Sequence, residues 1–111
     1  NPKPVLWFMN GRAAPDDLSP AGVPWLPHQP YNCFPQMHPG EKLLLRVVGA
    51  GRDMHPLHLH GNHVRVVARD GRLLESVPGA GADLSRMEFT VQSVPGQTLD
   101  AIFISPIASA V

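Results

Sequence analysis

The sequence predicts an all-β domain, an antiparallel sandwich or barrel, on three observations. Apolar and polar residues alternate with a period of two in several short runs. Glycines, prolines and Asn-Gly or Asp-Gly pairs separate these runs, and no stretch keeps the 3.6-residue repeat of a convincing helix. The 111 residues, with thirteen Pro and ten Gly, leave room for a single small domain spanning residues 1–111.

A first strand is expected over Val5-Leu6-Trp7-Phe8-Met9, ending at Asn10-Gly11, a pair suited to a turn with positive φ. From Arg12 to Gly40 the prolines Pro15, Pro20, Pro24, Pro27, Pro30, Pro35 and Pro39 deny the chain both helix and central strand. This segment should be a long surface-hugging loop, with Tyr31–Phe34 as a brief edge strand. Glu41–Val48 reads as a core strand with Leu43, Leu45 and Val47 on one face and Arg46 on the other. Gly49-Ala50-Gly51 breaks it, and Leu57-His58-Leu59-His60 begins another strand, interrupted by Gly61. Val64, Val66 and Ala68 alternate with Arg65 and Arg69 up to the hairpin signal Asp70-Gly71, after which Arg72–Ser76 should pair back. Beyond the Pro78-Gly79-Ala80-Gly81 connection, Met87, Phe89 and Val91 alternate with Glu88, Thr90 and Gln92 in one expected strand. After the Pro95-Gly96 turn, Leu99, Ala101 and Phe103 face opposite to Asp100.

Nine Lys+Arg balance nine Asp+Glu, and no basic stripe interleaves with aromatics, so a nucleic-acid partner is not expected. No apolar run approaches the ~20 residues of a membrane span. The start at Asn1 carries no basic and then hydrophobic leader, and Ser105–Val111 lacks the alternation of a final strand; both suggest a piece cut from a longer protein. The single cysteine, Cys33, excludes an internal disulfide and a multi-cysteine zinc site.

Of the six histidines, four lie in His55-Pro56-Leu57-His58-Leu59-His60-Gly61-Asn62-His63. In a strand, residues two apart share a face, so His58 and His60 project together while Leu57 and Leu59 project oppositely. Burying the leucines is favourable; burying two imidazoles without partners is costly. The leucines should therefore take the core and the histidines should be presented outward as a pair of metal ligands. Pro56 fixes the backbone between His55 and His58, so His55 is expected to aim at a different point, and one short segment could serve two metal centres. A lone strand histidine is ordinarily just hydrogen-bonded or half-exposed; His63 falls on the wrong parity for the pair and reads as a surface group or one that supports a ligand, and His28 and His38, in the proline-rich loop, read as solvent-exposed rather than ligating. Cys33, beside Asn32, Phe34, Met37 and His38, has the same status, with a soft-metal role left open.

These residues resemble a known family. His55–Gly61 followed by Val64-Arg65-Val66-Val67-Ala68-Arg69-Asp70-Gly71 resembles the HPxHLHG segment of a laccase-like multicopper oxidase cupredoxin domain. Trp7–Arg12 resembles that family's strand ending in Asn-Gly, Pro39–Gly51 the strand leading to the copper ligands, and Val94–Phe103 its PGxTxDxxF stretch. The resemblance implies a cupredoxin-like Greek-key β-sandwich with one long proline-rich loop, copper as cofactor, and His55 as a ligand of a type 1 copper. It further implies His58 and His60 as ligands of the type 2 and type 3 coppers of a trinuclear cluster, where dioxygen is reduced to water. Other cupredoxin domains or subunits of the same oxidase, dioxygen and a small reducing substrate are the implied partners, and an extracytoplasmic location is implied likewise. The family's HCH segment has no match after Phe103, Cys33 lies upstream and does not stand in for its cysteine, and Asn62 stands where many laccases have a further histidine. The chain is thus expected to be inactive alone.

Two other readings stay open at this point. A non-catalytic cupredoxin module would bind copper or serve in assembly. A cupin also carries a strand-borne H-x-H pair, but it expects a nearby Glu and a later His, whereas the next acids after His60 are Asp70 and Glu75 and no His follows His63.

Overall fold

The computed structural model describes residue 3 and residues 6–105. Its contacts divide the chain into two compact units, Asn1–Gln36 and Met37–Val111.

In the first unit, β1 (Phe8–Met9) and β2 (Arg12–Ala13) form an antiparallel hairpin. Asn10 (φ 50°) and Gly11 (φ 80°) make the expected positive-φ turn. The strand is shorter than the alternation suggested: Leu6 and Trp7 lie outside it, and Val5 is outside the described residues. A single 3-10 turn, Asp16–Leu18, interrupts the proline-rich loop. Arg12, only 2 % exposed, organises that loop. Its guanidinium donates to the carbonyl oxygens of Gln29 (2.8 and 3.2 Å), Ser19 (2.9 Å), Pro20 (3.0 Å) and Asp16 (3.4 Å). Prolines cannot satisfy such carbonyls with a regular ladder, so one buried cation does it instead. The expected edge strand at Tyr31–Phe34 does not form. The Asn32 side chain there accepts from the Phe34 N–H (3.3 Å), a local bond that competes with strand pairing.

The second unit is the expected all-β antiparallel sandwich. One layer is ordered β3 (Lys42–Val48), β9 (Thr98–Ile104), β5 (Val64–Arg69), β6 (Arg72–Leu73), with β7 (Arg86–Glu88) also on β5. The other layer is β4 (His55–His58) paired with β8 (Thr90–Ser93). The chain changes layers from β3 to β4 to β5 and again from β7 to β8 to β9, so sequence-distant β3, β9 and β5 become neighbours, as Greek-key connections require. Val64, Val66, Leu99, Ala101 and Phe103 of the first layer pack with Val91 of the second, and Leu43, Leu45, Val47, Leu57 and Leu59 close around them. Full burial of each of the three valines is worth about 1.5–3 kcal/mol.

The expected alternation holds in β3, β5 and β9. A bulge at Val67 shifts the β5–β9 register between Val66 and Ala68. The return strand after Asp70-Gly71 is shorter than expected, ending at Leu73. The larger correction concerns Met87–Gln92, expected as one strand with Met87, Phe89 and Val91 sharing a face. The chain bends at Phe89: Glu88 pairs with Val64 in one layer and Thr90 with His58 in the other. Met87 and Phe89 are exposed while Val91 is 2 % exposed. A strand that turns a sandwich corner loses its parity there, because its two halves answer to different sheets. Of the expected C-terminal tail, residues 106–111 lie outside the described residues.

Candidate metal centre

The strand carrying the histidines begins two residues earlier than the sequence suggested. β4 runs from His55 to His58, paired without a register break as His55 with Ser93, Pro56 with Gln92, Leu57 with Val91 and His58 with Thr90. The pairing extends past the strand through the Leu59 N–H, which donates to the Phe89 carbonyl oxygen at 3.0 Å. Pro56 is tolerated because β4 has a partner on one side only. Since the pairing runs straight through Pro56, alternation rather than a bend separates the histidines. His55 has the parity of Leu57 and Leu59, whereas His58 and His60 share the opposite face.

Leu57 and Leu59 pack on the core, and His55, His58 and His60 are all exposed. The structure brings His58 and His60 together: their ring centroids are 4.9 Å apart at an interplanar angle of 76°. His58 Nδ1 is 2.7 Å from Thr90 Oγ1, across the β4–β8 pair. The Phe89 ring stands edge-on to His58 at 6.4 Å and to His63 at 4.5 Å, so His63 joins the cluster only through Phe89. Of these ring contacts among the described residues, none includes His55.

Thr90 and Phe89 went unrecognised in the sequence. They lie more than thirty positions from His58 in the chain, with no motif of their own; the register of two distant strands puts them there. Asn62 has a structural part as well. Its side-chain amide donates to the Ile104 carbonyl oxygen (3.0 Å) and its oxygen accepts from the His63 N–H (2.8 Å), tying the loop after His60 to the end of β9.

The remaining candidates have surroundings of their own. His38 pairs with Glu41, Nδ1 to Oε1 at 3.1 Å, on an exposed turn, and His28 is exposed in the proline-rich loop. Cys33 donates its S–H to the Met9 carbonyl oxygen at 3.1 Å. Burial pushes this thiol above its ordinary range, the Asp17 carboxylate adds to the rise, and Arg12 only partly offsets it. The thiolate that a soft metal needs is thereby disfavoured. A cavity of about 440 Å³ lined by Val66, Arg69, Leu74, Leu84, Ser85 and Arg86 contains none of the histidines.

Paired outward imidazoles are suitable nitrogen donors for copper, and each offers a ring nitrogen to solvent or to a second surface. Among the described residues, no group of three or more His, Cys, Asp or Glu could hold a metal ion. A family model described as multicopper oxidase matches residues 9–100, which takes in both the hairpin turn and the whole histidine segment. The chain belongs to the multicopper oxidase family. No curated protein and no solved structure matches it. Membership in the multicopper oxidases implies copper as the metal and other oxidase domains as partners. No helix among the described residues is long and apolar enough to cross a membrane.

Proposed function

We propose that this multicopper oxidase domain contributes copper ligands to two centres, His55 to a type 1 site and His58 with His60 to the trinuclear cluster. The observation that carries the reading is the division of faces along β4 and the two residues after it: two adjacent imidazoles outward, two leucines inward, and His55 at the strand's start on the leucine parity. When bound, copper supplies the one-electron chemistry that couples oxidation of a small reductant to reduction of dioxygen to water. The protein's own work is to hold the imidazoles. β4 and the Leu59–Phe89 hydrogen bond that extends it set their spacing, β8 holds His58 through Thr90, and the leucines anchor the segment to the core.

An incomplete donor set means that further ligands come from another surface, an adjoining cupredoxin domain or subunit. On this reading the active cluster is an interface property, the isolated chain is inactive, and the complete oxidase works outside the cytoplasm. A second reading, a non-catalytic copper-binding module, is favoured by the same partial donor set.

Copper titration of the chain, followed by electron paramagnetic resonance, tests the ligand assignment. His58→Ala and His60→Ala should each remove the nitrogen-ligated Cu(II) signal, while His28→Ala retains it. Equal loss from His28→Ala would overturn the assignment. In the complete oxidase, His55→Ala should bleach the type 1 band and spare cluster copper, whereas His60→Ala should do the reverse. A module with no catalytic role would instead show no oxygen uptake in the complete protein with all its coppers in place.

A further inference from the structure

We infer that Thr90 is a positioning residue, whose hydroxyl accepts a hydrogen bond from His58 Nδ1–H and so leaves Nε2 as the nitrogen presented to copper. This rests on the proposed role of His58 as a ligand. The contact is short, 2.7 Å, and it is delivered by the sheet rather than by a loop, because Thr90 lies directly opposite His58 in the β4–β8 register. Directly opposed residues of an antiparallel pair have their side chains on one face, about 4.5–5.5 Å apart at Cβ. The hydroxyl is therefore within reach of the near nitrogen of the ring and not of the far one. Thr90 is also β-branched, which stiffens χ1 and holds the hydroxyl in place.

Two rings limit the alternatives open to His58. Rotating its imidazole by half a turn would put a carbon against Thr90 Oγ1 and forfeit the bond. Phe89 stands edge-on on one side, itself backed by His63, and His60 stands edge-on at 4.9 Å. A neutral imidazole that binds a metal through Nε2 must keep its proton on Nδ1, where an acceptor stabilises that tautomer and orients the ring. Thr90 Oγ1 is an acceptor in the place this requires. The corner at Phe89 contributes as well, because the bend lets Thr90 enter the β4 layer while Glu88 stays on β5.

The test uses the full 111-residue chain, labelled with ¹⁵N, first without metal. Long-range ¹H–¹⁵N spectra distinguish the two neutral tautomers. His58 should be in the Nδ1–H form in the parent and in Thr90→Ser, and should shift towards the Nε2–H form in Thr90→Val, whose backbone spectrum reports retention of the fold. Cu(II) titration should then show Thr90→Val weakened about 10–100-fold, the usual cost of losing a ligand's hydrogen-bond partner, with Thr90→Ser largely restored. A His58 that keeps the Nδ1–H tautomer in Thr90→Val, with unchanged copper affinity, would overturn the inference. Failure of the ligand reading is distinguishable: His58→Ala would then leave copper affinity intact, whatever the tautomer spectra show.

Discussion

The Arg12 guanidinium and the Gln29 carbonyl oxygen are joined by two hydrogen bonds, from Nη2 at 2.8 Å and Nε at 3.2 Å, across seventeen positions of proline-rich chain. With Ser19, Pro20 and Asp16 as further acceptors, one buried cation replaces the ladder that this segment cannot form. Arg12→Met keeps much of the volume and strands these carbonyls, each worth about 1–3 kcal/mol when buried without a partner. The loop should lose its structure. Protease cleavage between residues 12 and 30 should therefore accelerate. Unchanged cleavage would show that the prolines alone hold the loop.

Gly49 supports a second close approach, in the unit that carries the histidines. Its N–H donates to the Gln97 carbonyl oxygen (2.9 Å), its own carbonyl oxygen accepts from the Gly96 N–H (2.8 Å), and a Cβ there would overlap the Val94 carbonyl oxygen. Because the obstacle is backbone, it cannot swing aside. Gly49→Ala should cost about 1–3 kcal/mol, as overpacking does, whereas Gly51→Ala meets open space and should be tolerated. Thermal unfolding followed by circular dichroism compares the two; equal midpoints would refute the close approach.

Cys33 should behave as a protected thiol. Burial and the Asp17 carboxylate raise its pKa, so the reactive thiolate is scarce at neutral pH and grows as the pH rises. Alkylation by iodoacetamide should be slower than for a free thiol at neutral pH and should speed up under alkaline conditions. Copper added to the chain should give no intense blue band, because that colour needs a thiolate ligand. A strong blue band abolished by Cys33→Ser would place the thiol at the metal after all.

Asp83 gives stability a pH dependence of definite sign. The Ser76 hydroxyl and N–H both donate to its carboxylate, which lowers its pKa in the folded protein. A group depressed in this way stabilises the fold above its unfolded pKa, about 4, and the contribution fades as the pH falls through the lower folded value. Asp83→Asn should therefore unfold more readily than the parent at pH 7, with the gap closing in acid. A gap that widened on acidification would contradict the hydrogen-bond assignment.

Local alternation was enough to determine much of this protein. Leu43, Leu45 and Val47, like Leu99, Ala101 and Phe103, are apolar at every second position beside polar residues, so their faces follow from the cost of burying the alternative. The same reasoning turned Leu57 and Leu59 inward and His58 and His60 outward. Asn10-Gly11 and Asp70-Gly71 specified their turns because few residue pairs accept positive φ. Tertiary structure decided what depends on strands meeting from far apart. Phe89 became a corner because β5 and β4 each claimed one half of its strand; Thr90 reached His58 through the register of β4 with β8; Arg12 was buried by carbonyls that the prolines left unpaired. None of these leaves a periodic mark on the chain, since the partners are chosen by pairing and hydrogen-bond satisfaction rather than by local propensity.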